Sequence, residues 1–245
     1  MVNKDKIMQS LKLYFTTTGE ITIDDEGLVS CKGDVELKQE QRHERLPVAF
    51  DRVDGSFVCY WNELETLEGA PKRVGKNFNC YSNQLTTLEG APQSVGGIFS
   101  CWNNQLTTLA GAPQSVGGSF NCGSNQLTTL EHSPQSVGGS FDCSDNQLTT
   151  LGHSPQSVVG SFDCSDNQLI TLQGLPAILG TLYLSYSPTL PLLRCLLAKK
   201  VEFFPTLKDN TVETILNQHA GQGEAGAFAC GAELATAGYK ENARW

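Results

Sequence analysis

The most reactive side chains in the sequence are nine cysteines, six of which recur 21 residues apart: Cys59, Cys80, Cys101, Cys122, Cys143 and Cys164. Thiols paired as C-x-x-C would hold zinc, and thiols in a small secreted domain would form a disulfide framework. One thiol per 21 residues does neither. The spacing puts each sulfur in an equivalent interior slot of a repeated unit, where Cys behaves as a small hydrophobe. Equivalent positions on adjacent parallel strands also point their Cβ atoms side by side, a poor start for disulfide geometry. Gly221-Gln222-Gly223-Glu224-Ala225-Gly226 fits G-x-G-x-x-G by letters. The dinucleotide fingerprint needs a strand before it and an acid about 20 residues later, whereas a helix is expected here, so the glycines read as a helix–helix turn. His132 and His153 replace a glycine in neighbouring repeats and have no evident third ligand, which reads as exposed variation. Asp142, Asp145, Asp163 and Asp166 put paired carboxylates on adjacent units. That pattern steers a basic partner or, as the alternative, holds a calcium ion. No cofactor motif stands out.

The units that position these residues run from about Gly55 to Leu193. A strict period in this range marks a solenoid, in which each coil buries its apolar face only against its neighbours. Phe57, Phe78, Phe99, Phe120, Phe141 and Phe162 stand two residues before the cysteines, so F-x-C reads as a short strand with two residues pointing inward. Three residues past each Cys stands Asn62, Asn83, Asn104, Asn125, Asn146 or Asn167. An Asn there can bond the backbone where the chain leaves the strand, and stacked copies can bond along the column. Paired leucines such as Leu106 and Leu109 follow, then a proline and a valine. The glycine pair before the strand, Gly117-Gly118 for instance, reads as a small bulge.

F-x-C-x-x-N-x-L-x-x-L resembles the L-x-L-x-x-N-x-L-x-x-L core of leucine-rich repeats, with Phe and Cys in the first two Leu slots. The 21-residue length and the return-stretch proline are similar to the short repeats of bacterial effector proteins. The glycine-rich form and the ending Glu241-Asn242-Ala243-Arg244-Trp245 look closest to uncharacterised leucine-rich proteins of phages and prophages. One departure stands: three residues, not two, separate Val116 from Phe120. The resemblance implies an α/β, β-rich leucine-rich-repeat solenoid, strongly curved, with parallel strands on the concave face and an extended convex side. Some effectors of this class carry a catalytic-cysteine ligase domain, but the tail holding Cys195 and Cys230 is too short for one.

The expected organisation is an N-terminal cap over 1–54, repeats over 55–193 and a C-terminal helical cap over 194–245. The first unit includes a degenerate coil at Val35, Leu37 and Leu46. Ile7, Met8, Leu11 and Phe15 suit a short helix, and Ile21–Ile23 and Leu28–Cys31 flank a turn. About eight coils at roughly 4.8 Å each give a stack on the order of 35–40 Å long.

Net charge is −9, and its distribution excludes one class. Between Asn77 and Leu193 there is no Lys or Arg against six acids. Nucleic-acid binding needs cations facing phosphates, so the repeats are not expected to bind DNA or RNA. No stretch approaches the ~18 apolar residues of a membrane span. The first residues lack an apolar secretory core, so a cytoplasmic location, in a bacterium or an infected cell, is expected.

Core positions stay fixed while the strand's outer positions drift. Early coils carry Tyr60, Trp61, Tyr81, Ile98, Trp102 and Asn103; late ones carry the four aspartates. Aromatics ringed by polar residues have the composition of a protein-binding surface. The expected function is non-catalytic protein binding through this face, with a basic, host-derived partner implied by the phage resemblance. Virion assembly, or the binding module of a secreted bacterial effector, is the alternative.

Overall fold

The computed structural model describes residues 2–39, 42–176 and 179–245. The chain winds as a parallel β-solenoid of about eight turns, with helices confined to its ends. In each coil the residues Phe and its successor form a two-residue strand, and these strands pair parallel and in register, Phe99 beside Phe78 and Phe120. The Phe rings stack face to face from Phe57 to Phe162, with centroids 5.2–5.7 Å apart and planes within 9–22° of parallel. Cys, the leucines, Val and Pro of each coil join them in one continuous core, except that Leu169 is only partly buried.

The return side is more ordered than the sequence suggested. Ser94–Val95, Ser115–Val116, Ser136–Val137 and Ser157–Val158 are strands of a second parallel sheet, with each Val buried and each neighbouring Gln turned out. The described residues form one sheet of ten strands and one of eight. Coil-to-coil bonds run at equal lengths on the two sides: Phe99 N–H to Ser119 O is 2.9 Å, and Gly117 N–H to Val95 O is 3.0 Å. The return side is therefore a hydrogen-bonded ladder like the strand side, where the resemblance implied only extended chain. The glycine pair is not a bulge either. Its residues lie where successive backbones approach most closely, and a Cβ on Gly96 would sit 2.2 Å from Gly75 O.

The asparagines form the ladder that closes the turn after each strand. Asn104 donates from Nδ2 to Cys101 O in its own coil at 3.0 Å and to Cys80 O in the preceding one at 3.1 Å. Its Oδ1 accepts from Leu85 N–H at 3.1 Å. The column is therefore knitted through backbone groups, not amide to amide as the stacking pattern suggested.

Both ends are closed. Helix α1 (Lys4–Tyr14), capped by Asn3 Oδ1 on Lys6 N–H, leads into a strand Phe15–Thr17 that pairs antiparallel with Val35–Leu37. Ile21–Ile23 covers the second sheet in the same way through Val29–Cys31. At the other end the first sheet continues past the sequence period: Leu179–Leu184 pairs with Ala198–Phe203, inside the segment read as a purely helical cap. Helices α2 (Thr211–His219) and α3 (Glu224–Thr236) follow. The outer edge of Ala198–Phe203 is covered by side chains of α2. Asn217 gives Val201 both a donor and an acceptor at 2.8 Å, imitating one rung of a strand, and Glu213 accepts from Phe203 N–H at 3.1 Å. Filling an open edge this way denies it to another chain.

Candidate functional site

The outer surface of the first sheet carries the sequence-derived site, ordered by coil. One residue past each Cys come Tyr60, Tyr81, Trp102, Gly123, Ser144 and Ser165. The Tyr60 and Tyr81 rings stack with centroids 4.6 Å apart and planes 7° from parallel, and Trp61 packs edge-on to Tyr60 at 6.1 Å. Burial, with the Tyr60 phenol adding to it, raises the Tyr81 hydroxyl above its ordinary pKa. Trp102 leans over Gly123, where a Cβ would stand 3.2 Å from indole Cδ1. The coil that receives the indole is the one without a side chain there.

Two residues past each Cys the backbone enters the left-handed region: Trp61, Ser82, Asn103, Ser124, Asp145 and Asp166 have φ of 50–53°. Asn, Asp and Ser tolerate this conformation, whereas a bulky residue there is a true outlier. Trp61 is also 61% exposed, and Trp102 and Ile98 are 40% and 42% exposed. Asn103 donates to Ser82 Oγ at 3.0 Å and belongs to the patch rim. His132 and His153 occupy a different left-handed column, at φ 68° and 65°, where other coils have glycine.

The acidic half is built differently. Asp142 accepts from the Ser144 hydroxyl at 2.6 Å and its N–H at 3.0 Å, and Asp163 holds Ser165 in the same way. Desolvation raises the Asp163 carboxyl above its ordinary pKa, opposed by the two bonds from Ser165. Asp145 and Asp166 project to solvent from the turn. Among the described residues none of the four is ion-paired. Nor does any group of three or more His, Cys, Asp or Glu there converge as metal ligands. The structure thus brings Tyr60, Trp61, Tyr81 and Trp102 into one patch beside Ile98 and Asn103, and the aspartates adjoin it along the same face, with Asp142 Oδ1 as near to Gly123 as the Trp102 indole is. Tyr186 turns to the C-terminal tail, donating to Asn242 Oδ1 at 3.2 Å.

Sequence reasoning passed over Val159, Ile170 and Phe228, which are 68%, 74% and 90% exposed. The first two had a legible signal: Val159 stands in a glycine column and Ile170 in a threonine column.

The cysteine column is chemically quiet. Sγ of Cys80, Cys101, Cys122 and Cys143 lies 3.3–3.4 Å from a carbonyl of the next coil. Burial pushes all four thiols far above the usual range. Because the thiolate is the nucleophile, native protein is expected to leave these four unmodified by a thiol reagent, and denaturant to release all nine. Fast native labelling of any of the four, read by mass spectrometry, contradicts the buried column.

No protein family, curated protein or solved structure matches this chain. No helix among the described residues is long and apolar enough to cross a membrane. What fold and site define is a β-solenoid presenting aromatic and carboxylate surface on its strand face.

Proposed function

We propose that the chain is a short-repeat leucine-rich-repeat protein whose strand face is a non-catalytic docking surface for another protein. The aromatics of the early coils anchor the partner, and the late-coil aspartates guide a basic segment of it. In keeping with the phage-like sequence form, the partner is a host protein met in the cytoplasm of a bacterium or infected cell.

The observation that carries this reading is Trp61. Five other coils fill its position with Ser, Asn or Asp, which suit left-handed backbone. An indole there costs the fold roughly 1 kcal/mol, and its exposure returns little packing. Strain of this kind, kept without a reason inside the fold, points to a role outside it.

Trp61→Asn is accordingly expected to raise stability by about 0.5–1 kcal/mol while weakening partner binding. Trp61→Ala with Trp102→Ala should lower affinity more than about a hundredfold, as anchoring aromatics contribute on the order of 2 kcal/mol each. Affinity capture with the wild-type chain, then titration of the captured protein against both variants, tests this. A captured protein that binds the double variant unchanged removes the strand face from the interaction.

A further inference from the structure

The asparagine ladder stops one coil before the solenoid does, and its end leaves a site. In five successive coils a leucine N–H donates to the asparagine Oδ1 of the next coil: Leu64 to Asn83, Leu85 to Asn104, Leu106 to Asn125, Leu127 to Asn146 and Leu148 to Asn167, at 2.9–3.1 Å. In the same coils each strand-end carbonyl from Cys80 to Cys143 receives two asparagine Nδ2 donors, one from its own coil and one from the next. Leu184 aligns with Cys164 through the pairing of Leu182 with Phe162, so the next rung falls at position 187, which is serine. Cys164 O then keeps only its own Asn167 donor at 3.2 Å. Among the described residues Leu169 N–H has no acceptor.

Cys164 and Leu169, which carry these two groups, help line a pocket of about 270 Å³ together with Asn167, Ser185, Tyr186, Ser187 and Thr189. It therefore offers a visitor the Leu169 N–H as donor and Cys164 O, one donor short of its counterparts in the preceding coils, as acceptor. A primary carboxamide supplies the complement, one acceptor oxygen and an N–H donor. A carboxylate supplies only acceptors, would set a lone pair against Cys164 O, and would meet Asp166, whose carboxyl takes a bond from Ser185 at 3.1 Å. The nearest cation, Arg244, which donates to Thr189 O beside the pocket at 3.1 Å, is already paired with Glu241 at 3.1 Å.

We propose that this pocket binds a primary carboxamide, taking the place of the missing rung. The carboxamide is either the side chain of an Asn or Gln on a polypeptide or a free small amide. The site is distinct from the aromatic patch, and testing it requires no protein partner.

The test is amide-resolved NMR of the full chain titrated with acetamide, acetate and acetone. Acetamide should shift the Leu169 and Asn167 backbone resonances saturably, while Leu148, whose N–H is already held, stays in place. Acetone, an acceptor alone, should act more weakly, and acetate should not act at all. Ser187→Leu, which fills the pocket, should abolish the response with the melting temperature unchanged. N-acetyl-asparagine methylamide binding at least tenfold tighter than acetamide assigns the site to a polypeptide side chain, and equal affinity assigns it to a free amide. Unmoved Leu169 and Asn167 signals, an equal response to acetate, or an intact response in Ser187→Leu overturns the proposal.

Discussion

Gly117→Ala is expected to lose more than about 3 kcal/mol of stability and about 10 °C of melting temperature, a severe outcome for one added methyl. The cause is contact, since Gly117 is not among the residues at positive φ. Its Cβ would lie 2.2 Å from Gly96 O and 3.0 Å from Gly96 C, both backbone atoms that no rotamer change can move. Relief requires neighbouring coils to part by roughly 1 Å, which breaks bonds such as Gly117 N–H to Val95 O and opens a gap in the core, where lost dispersion contacts add to the cost. The same approach recurs at Gly75, Gly96 and Gly138. In a solenoid each coil holds only its neighbours, so a weakened contact divides the stack. Unfolding of the variant should therefore broaden or split into two transitions. Gly152→Ala is the control: only Thr150 Oγ1, at 3.9 Å, is near, and the variant should stay within about 0.5 kcal/mol of wild type. The chain itself carries a related change at Val159, which stands in this glycine column. There the bond from its N–H to the preceding coil is missing among the described residues. A Gly117→Ala protein as stable as Gly152→Ala would mean that the coils are not in this contact.

Period and composition made the solenoid, its core columns and its terminal helices legible, because each depends on local alternation and on identical neighbours. What stayed hidden depends on distances between coils. The letters G-G suit a bulge as well as a close backbone approach, and only the 2.2 Å separation decides between them. Ser-Val is too short to announce a strand, yet stacking identical copies in register turns it into a sheet. The last strand, Ala198–Phe203, escaped the period because its 19-residue offset from Leu182 to Val201 abandons the motif while keeping the pairing. Within the site, column reading placed Tyr60, Trp61, Tyr81 and Trp102 on one face. The left-handed backbone under Trp61 was passed over: Trp itself gives no such signal, but the Ser, Asn and Asp at equivalent positions do.

Asn104→Asp should be among the most damaging changes the ladder admits at neutral pH and should lose much of its effect in acid. The two residues are nearly equal in volume, so packing contributes little. Asn104→Ala removes the acceptor of Leu85 N–H, but Cys80 O and Cys101 O each keep a second donor, from Asn83 at 3.0 Å and Asn125 at 3.2 Å. One orphaned N–H and a small cavity put the alanine variant at about 2–3 kcal/mol. Aspartate retains the acceptor for Leu85 but turns its second oxygen toward two carbonyls, where Asn104 now donates. A buried carboxylate without a donor is much costlier than a missing one, so at pH 7 the aspartate variant should fall below the alanine variant by a further 1 kcal/mol or more, at about 4 kcal/mol in all. Protonation restores a donor. The carboxyl's folded pKa must then lie above its unfolded value of about 3.9. The neutral form's stability is fully present below that value and is lost as pH rises through the raised folded one. Urea unfolding at pH 4 and pH 7 should show the aspartate variant gaining on the alanine variant in acid, with the order reversed at neutrality. An aspartate variant that matches wild type at pH 7, or whose deficit is the same at both pH values, would mean that Nδ2 of Asn104 is not bonded to the two strand-end carbonyls.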